Sequence, residues 1–206
     1  MKSLFFALLS LSTTLIVYGQ TSTKKIGGPC EGCEAIYESP IPFDQLPYSV
    51  SLPDLNNAGP KIEISGIVYE RDGVTAAKDV VLYVYHTDRK GIYPTTGNEK
   101  GWDKRHGYIR GWVKTDKNGH YQIRTLRPAA YPERNIPEHI HITVKEPGKN
   151  EYYLDDFLFS DDPLLPKTPS KTPRGGNGVV TLTAAKNGMQ HATRDIILGL
   201  NIPDYR

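Results

Sequence analysis

Cysteine is nearly absent, with two in 206 residues. A fold stapled by several disulfides is therefore excluded. Methionine and tryptophan occur twice each and phenylalanine five times, so the aromatic weight falls on 13 tyrosines. An excess of one charge is also missing. Twenty-five Lys and Arg against 23 Asp and Glu leave a net charge of +2. That balance argues against a nucleic-acid partner or a membrane surface held by charge. Long amphipathic helices are lacking too, because 16 Pro and 19 Gly divide the chain into short pieces. What remains is 38% hydrophobic, enough for one core in a chain of one-domain length.

The one long apolar stretch runs from Leu4 to Val17, behind Lys2. It is short for a bilayer span and ends in Val17-Tyr18-Gly19. Residues 1–19 read as a signal peptide cleaved near Gly19-Gln20, which implies an exported protein, periplasmic or secreted, and free of the membrane after cleavage. In an oxidising compartment Cys30 and Cys33 (Cys-Glu-Gly-Cys) are expected to form a local disulfide, with free thiols as the alternative. No second Cys/His pair stands at zinc-finger spacing, and no strand-to-helix pattern suits a redox site.

Residues 20–60 read as an extended arm, and residues 61–206 as the main domain. Ile62, Ile64 and Val68 share one face of a strand that ends at Asp72-Gly73. Residues 79–86 (DVVLYVYH) form a buried strand. Residues 108–114 form another, the turn at Asp116-Lys117-Asn118-Gly119 follows, and 120–126 is expected to return as its hairpin partner. Strands over 139–144, 152–159, 179–183 and 193–200 complete the set. About eight strands and no convincing helix predict an all-β fold, an antiparallel β-sandwich with long loops. The Pro-, Gly- and Lys-rich loop at 161–178 is long for a compact domain.

His139 and His141 stand two apart on a predicted strand, so both imidazoles lie on one face, with Ile140, Ile142 and Val144 on the other. Such a pair on rigid backbone suits a metal. His86, His106, His120 and His191 lack spacing partners and read as structural or surface residues. Trp102 and Tyr108 are weaker candidates to line a pocket.

Further features run in order through Gly91-Ile92-Tyr93, Arg110-Gly111, Thr115-Asp116, Gly119 with Tyr121, Thr125 with Pro128, Tyr131-Pro132 and His139-Ile140-His141. This series, over residues 62–200, resembles the catalytic domain of the intradiol ring-cleavage dioxygenases. The resemblance implies a non-haem Fe(III) held by Tyr93, Tyr131, His139 and His141. It implies a small aromatic diol and O2 as substrates, and a cis,cis-muconate-type diacid as product. Tyr131 would double as the base that takes a catechol proton. Two anionic phenolates favour the ferric state, and the cation drives their ionisation. No organic cofactor is implied. A homo-oligomer is compatible with the resemblance.

Two positions depart from the family pattern. An Arg close before the first His is replaced by Ile136-Pro137-Glu138, so Arg134, in the Tyr-Pro-x-Arg pattern, is the candidate for stabilising charge on the ring. A Gln on the next strand corresponds here to Asp156, placed with Arg110 in supporting positions around the metal. The alternative without catalysis is a transthyretin-like binding or structural sandwich, which shares Ser65-Gly66 through Asp72-Gly73 and the Thr115–Tyr121 turn region. It does not account for the two tyrosines and two histidines together. A zinc or copper enzyme would make less use of two phenols.

Overall fold

The computed structural model describes residues 25–168, 170–184 and 187–206. The signal segment expected over 1–19 lies outside the described residues. Among the described residues there are eleven strands: β1 (Ser49–Ser51), β2 (Lys61–Tyr69), β3 (Val81–Tyr85), β4 (Arg110–Lys114), β5 (His120–Leu126), β6 (His139–Lys145), β7 (Tyr152–Tyr153), β8 (Phe157–Phe159), β9 (Val179–Val180), β10 (Met189–Thr193) and β11 (Ile196–Ile197). They form the expected sandwich. One sheet has the order β1-β5-β2-β10, with β11 also on β2; the other has the order β4-β3-β6-β8-β9, with β7 also on β6.

Alternation builds the core. Ile62, Ile64 and Val68 of β2 and Ile123 of β5 meet Leu82 and Val84 of β3 and Ile140, Ile142 and Val144 of β6 in one buried cluster. Each such side chain contributes about 1.5–3 kcal/mol on leaving water. Among the described residues no helix is long and apolar enough to cross a membrane.

The pairing differs from the sequence expectation in three ways. First, the turn at Asp116 exists, since Asp116 Oδ1 accepts from the Asn118 and His120 amides at 2.8 and 2.9 Å. Yet β4 and β5 are not a hairpin: β4 pairs with β3, and β5 pairs with β2 and β1. The turn carries the chain from one sheet to the other, because each strand finds its ladder in a different layer. Second, the expected strand at 152–159 is broken into β7 and β8, which pair with the two ends of β6. Third, four pairings are parallel: β1 with β5, β10 and β11 with β2, and β9 with β8.

The residues before β2 are integral to the packing. Cys30 and Cys33 are joined by a disulfide, with their Cα atoms 5.7 Å apart. It opens a 3-10 helix, Cys33–Glu38. Ala35 and Ile36 from this helix, with Leu46, cover Val81, Tyr83 and Trp112 on the outer face of the second sheet. Trp112 Nε1 donates to the Ile36 carbonyl at 2.8 Å.

Candidate metal centre

The outer face of β6 carries His139 and His141, while Ile140 and Ile142 are buried in the core. Register places Tyr85 of β3 directly opposite His141. The Tyr85 ring stacks on His141, with centroids 4.5 Å apart. Tyr93 and Tyr131 come from two loops that touch. A Cβ on Gly91, at φ +75°, would fall 2.0 Å from the Ala130 carbonyl oxygen, so only glycine permits this approach. Asp88 knits the same loops: its carboxylate accepts from the Lys90 and Ile92 amides and its carbonyl from the Ala129 amide.

Four donor atoms converge as a result. Tyr93 Oη lies 2.8 Å from His141 Nε2 and in direct contact with Tyr131 Oη. Tyr131 Oη is 3.2 Å from His139 Nε2 and 3.4 Å from His141 Nε2, and the two Nε2 atoms are 3.2 Å apart. Donors bound about 2 Å from one centre stand about 3 Å from each other, so the spacing suits a single cation.

The outer ring nitrogens set the tautomers. His139 Nδ1 is 2.7 Å from the Pro137 carbonyl, and His141 Nδ1 is 3.0 Å from Asp156 Oδ1. Both acceptors hold a proton on Nδ1 and leave an Nε2 lone pair facing inward. Two inward lone pairs at 3.2 Å repel unless something positive lies between them. Asp156 belongs with His139 and His141 in a group whose ligand atoms lie within 4.8 Å of one another. Its Oδ1 is engaged with His141 Nδ1, so it orients that imidazole rather than joining the four converging donors.

Burial raises the phenol pKa of Tyr93, and the hydrogen bond with Tyr131 raises it further. Burial likewise raises that of Tyr131, against opposing effects led by its hydrogen bond with Tyr93 and including the Arg134 charge. Burial holds the His139 imidazole below its usual value, with His141 adding to the effect. At neutral pH the cluster is therefore two neutral phenols and a neutral His139. A cation of charge three, with two phenols that can ionise against it, fits this donor set.

Arg134 sits at the surface, its guanidinium 5.7 Å from the centre of the Tyr131 ring. Glu138 pairs with Arg127 at 2.6 Å. Arg110 bonds Glu38 at 2.8 Å and also Asp103, and thereby ties the N-terminal segment and the helical turn α1 (Asp103–His106) to β4.

Two cavities open beside the donors and share Glu31, Tyr85 and His141. One of about 240 Å³ is lined also by Tyr93, Tyr131 and His106. The other, of about 510 Å³, runs along Pro29–Gly32 to Asp155 and Asp156. The smaller one is the cavity that both tyrosines line. Trp102 lines it, while Tyr108 instead donates to Asp54 at 2.8 Å. His86 is buried, and His120 and His191 are exposed. Tyr85, His106 and Glu31 were not legible as site residues. Tyr85 alternates with the core positions of β3, a weak signal; nothing in the spacing of the other two marks them.

Comparison with known proteins follows the same lines. The family model described as Dioxygenase matches residues 37–194. Catechol 1,2-dioxygenase of Acinetobacter baylyi is 26% identical over 157 residues, 60% of this chain and 49% of that protein. Catechol 1,2-dioxygenase 1 of Acinetobacter lwoffii is 30% identical over 138 residues, 56% of this chain and 42% of that protein. The matched region thus spans less than half the length of either curated relative. Among solved structures, the dioxygenase domain of a dioxygenase carbohydrate-binding protein fusion from Streptomyces sp. SirexAA-E shares the fold. Its TM-score is 0.56 at 23% identity, covering 75% of this chain and 89% of that one.

Proposed function

Since this chain belongs to the intradiol ring-cleavage dioxygenases, we propose that it is an exported, non-haem Fe(III)-dependent enzyme that opens catechol-type rings with O2. The observation that carries this reading is the convergence of Tyr93, Tyr131, His139 and His141 at mutual distances suited to one cation. A spacer or binding sandwich has no use for such a cluster. Ferric iron, when bound, would supply a template that holds both diol oxygens and activates the ring toward O2. The ring opens between the two hydroxyl-bearing carbons, and both atoms of O2 enter the resulting cis,cis-muconate-type diacid.

The chain's own residues have separable parts. His139 and His141 present fixed Nε2 lone pairs, oriented by the Pro137 carbonyl and Asp156. Tyr93 is held by its 2.8 Å contact with His141. Tyr131 stands on a loop and makes longer contacts to both imidazoles, 3.2 and 3.4 Å. It is the ligand we assign as base: its Oη receives the proton that the diol gives up on binding. Arg134, over the Tyr131 ring, lowers the cost of negative charge there. Export rests on residues 1–19, and N-terminal sequencing of secreted protein tests it.

The test of the function is a visible absorption spectrum of the Fe(III)-loaded protein, followed by anaerobic titration with catechol. A phenolate-to-iron charge-transfer band that moves to longer wavelength with catechol is the expected result. A protein that stays colourless after loading and catechol addition overturns the reading.

A further inference from the structure

His106 is 5% exposed, yet it lines the 240 Å³ cavity together with Tyr93, Tyr131 and His141. Its ring lies flat on Tyr85, with centroids 3.7 Å apart and planes 6° apart. Tyr85 stacks in turn on His141. Only one of its two nitrogens has a partner among the described residues: Nδ1 is 2.8 Å from Tyr83 Oη. The positive charge of the Arg110 guanidinium acts on that same phenol. It favours the orientation in which Tyr83 Oη turns its lone pairs toward the charge and donates its proton to His106 Nδ1. That orientation leaves the ring proton on Nε2. Gly32, at φ +85°, packs beside it: a Cβ there would fall 2.8 Å from Nε2, so a side chain at this position would crowd the atom. Burial keeps the imidazole neutral, with a pKa pushed down to about 4.

Resting on the dioxygenase reading, we infer that His106 is a specificity-determining residue whose Nε2–H donates to an acceptor oxygen on the ring substituent of the diol. The substrate class is then a catechol bearing a hydroxyl, methoxyl or carboxylate group, rather than a bare or alkyl-substituted ring. A donor on a cavity wall without a partner in the protein discriminates against ligands that exclude water and leave it unpaired.

The experiment compares kcat/KM for catechol, 4-methylcatechol, 4-methoxycatechol and 3,4-dihydroxybenzoate in the iron-loaded wild type, His106→Phe and His106→Gln. Phenylalanine keeps the stack on Tyr85 and removes the donor; glutamine restores an N–H near the position of Nε2. We expect the ratio of oxygen-substituted to alkyl or bare substrate to fall about tenfold in His106→Phe, mainly through KM, with part of it returned in His106→Gln. Imidazole ¹⁵N NMR of the resting protein reads the tautomer independently of turnover or folding of the variants. A proton on Nδ1 overturns the proposal, and so does a wild type that turns over catechols while the His106→Phe ratio stays unmoved. A wild type that binds no catechol overturns the functional reading and this inference with it.

Discussion

His141 has two ring nitrogens, and only one faces the other donors. The other, Nδ1, lies 3.0 Å from Asp156 Oδ1. Losing such an outer partner typically costs 10- to 100-fold in metal affinity. Asp156→Ala is therefore expected to weaken iron binding by about that factor in a chelator-competition titration, and Asp156→Asn, which keeps an acceptor oxygen, by less. Removing a donor outright is harsher. Tyr131→Phe and His141→Ala should lose iron and catechol turnover together. Mutants that keep full iron content and rate would show that these side chains are not ligands. Arg134→Ala should slow turnover more than it lowers iron loading, because its charge acts on the Tyr131 ring from the surface. At this scale the histidine pair was legible, since period-2 spacing on one strand dictates a shared face. Tyr93 and Tyr131 followed only from a family resemblance, because the contact of Gly91 with Ala130 that unites their loops is a tertiary event. His106 reads as structural or surface from sequence; its place against Tyr83 and Tyr85 depends on tertiary packing of α1.

The helical turn at Cys33–Glu38 is short, and its stability comes from what it covers. Ile36 is fully buried against the outer face of the second sheet, in a cluster with Val81, Tyr83 and Trp112. Ile36→Ala is expected to destabilise the whole domain by about 2–4 kcal/mol in urea unfolding. A loss below about 1 kcal/mol would mean that the segment is only draped on the sheet. Here local signals have a limit. Residues 20–60 are polar and rich in turns, so their sequence looks like an arm. One face of one short helix and the strand β1 suffice to seat residues 33–51 on both sheets. The Asp116–Gly119 turn shows the same limit. Its Asx hydrogen bonds are local and legible, but whether the next strand pairs with the last is decided by which layer buries its apolar face.

For the molecule as a whole, two buried imidazoles tie folding to pH. His86 is 1% exposed. Its Nδ1 donates to the Thr87 carbonyl and its Nε2 accepts from Thr125 Oγ1, each at 2.7 Å. The neutral ring thus has both nitrogens engaged, and a proton would bury a charge without a counter-ion in contact. Burial pushes its pKa from the ordinary 6.5 to about 4, and that of His106 likewise. The sign follows from proton counting. Between these two values the unfolded chain binds protons at both sites and the folded chain does not, so folding stability rises with pH across the window. Stability from these groups is complete above pH about 6.5 and is lost progressively as pH falls toward about 4. The thermal midpoint should accordingly hold steady near pH 7 and decline through that interval. His86→Gln carries no titrating group at the core position; it should start lower at pH 7 and decline less steeply. Parallel declines in wild type and variant would assign the acid loss to carboxylate pairs such as Arg127 with Asp161 instead.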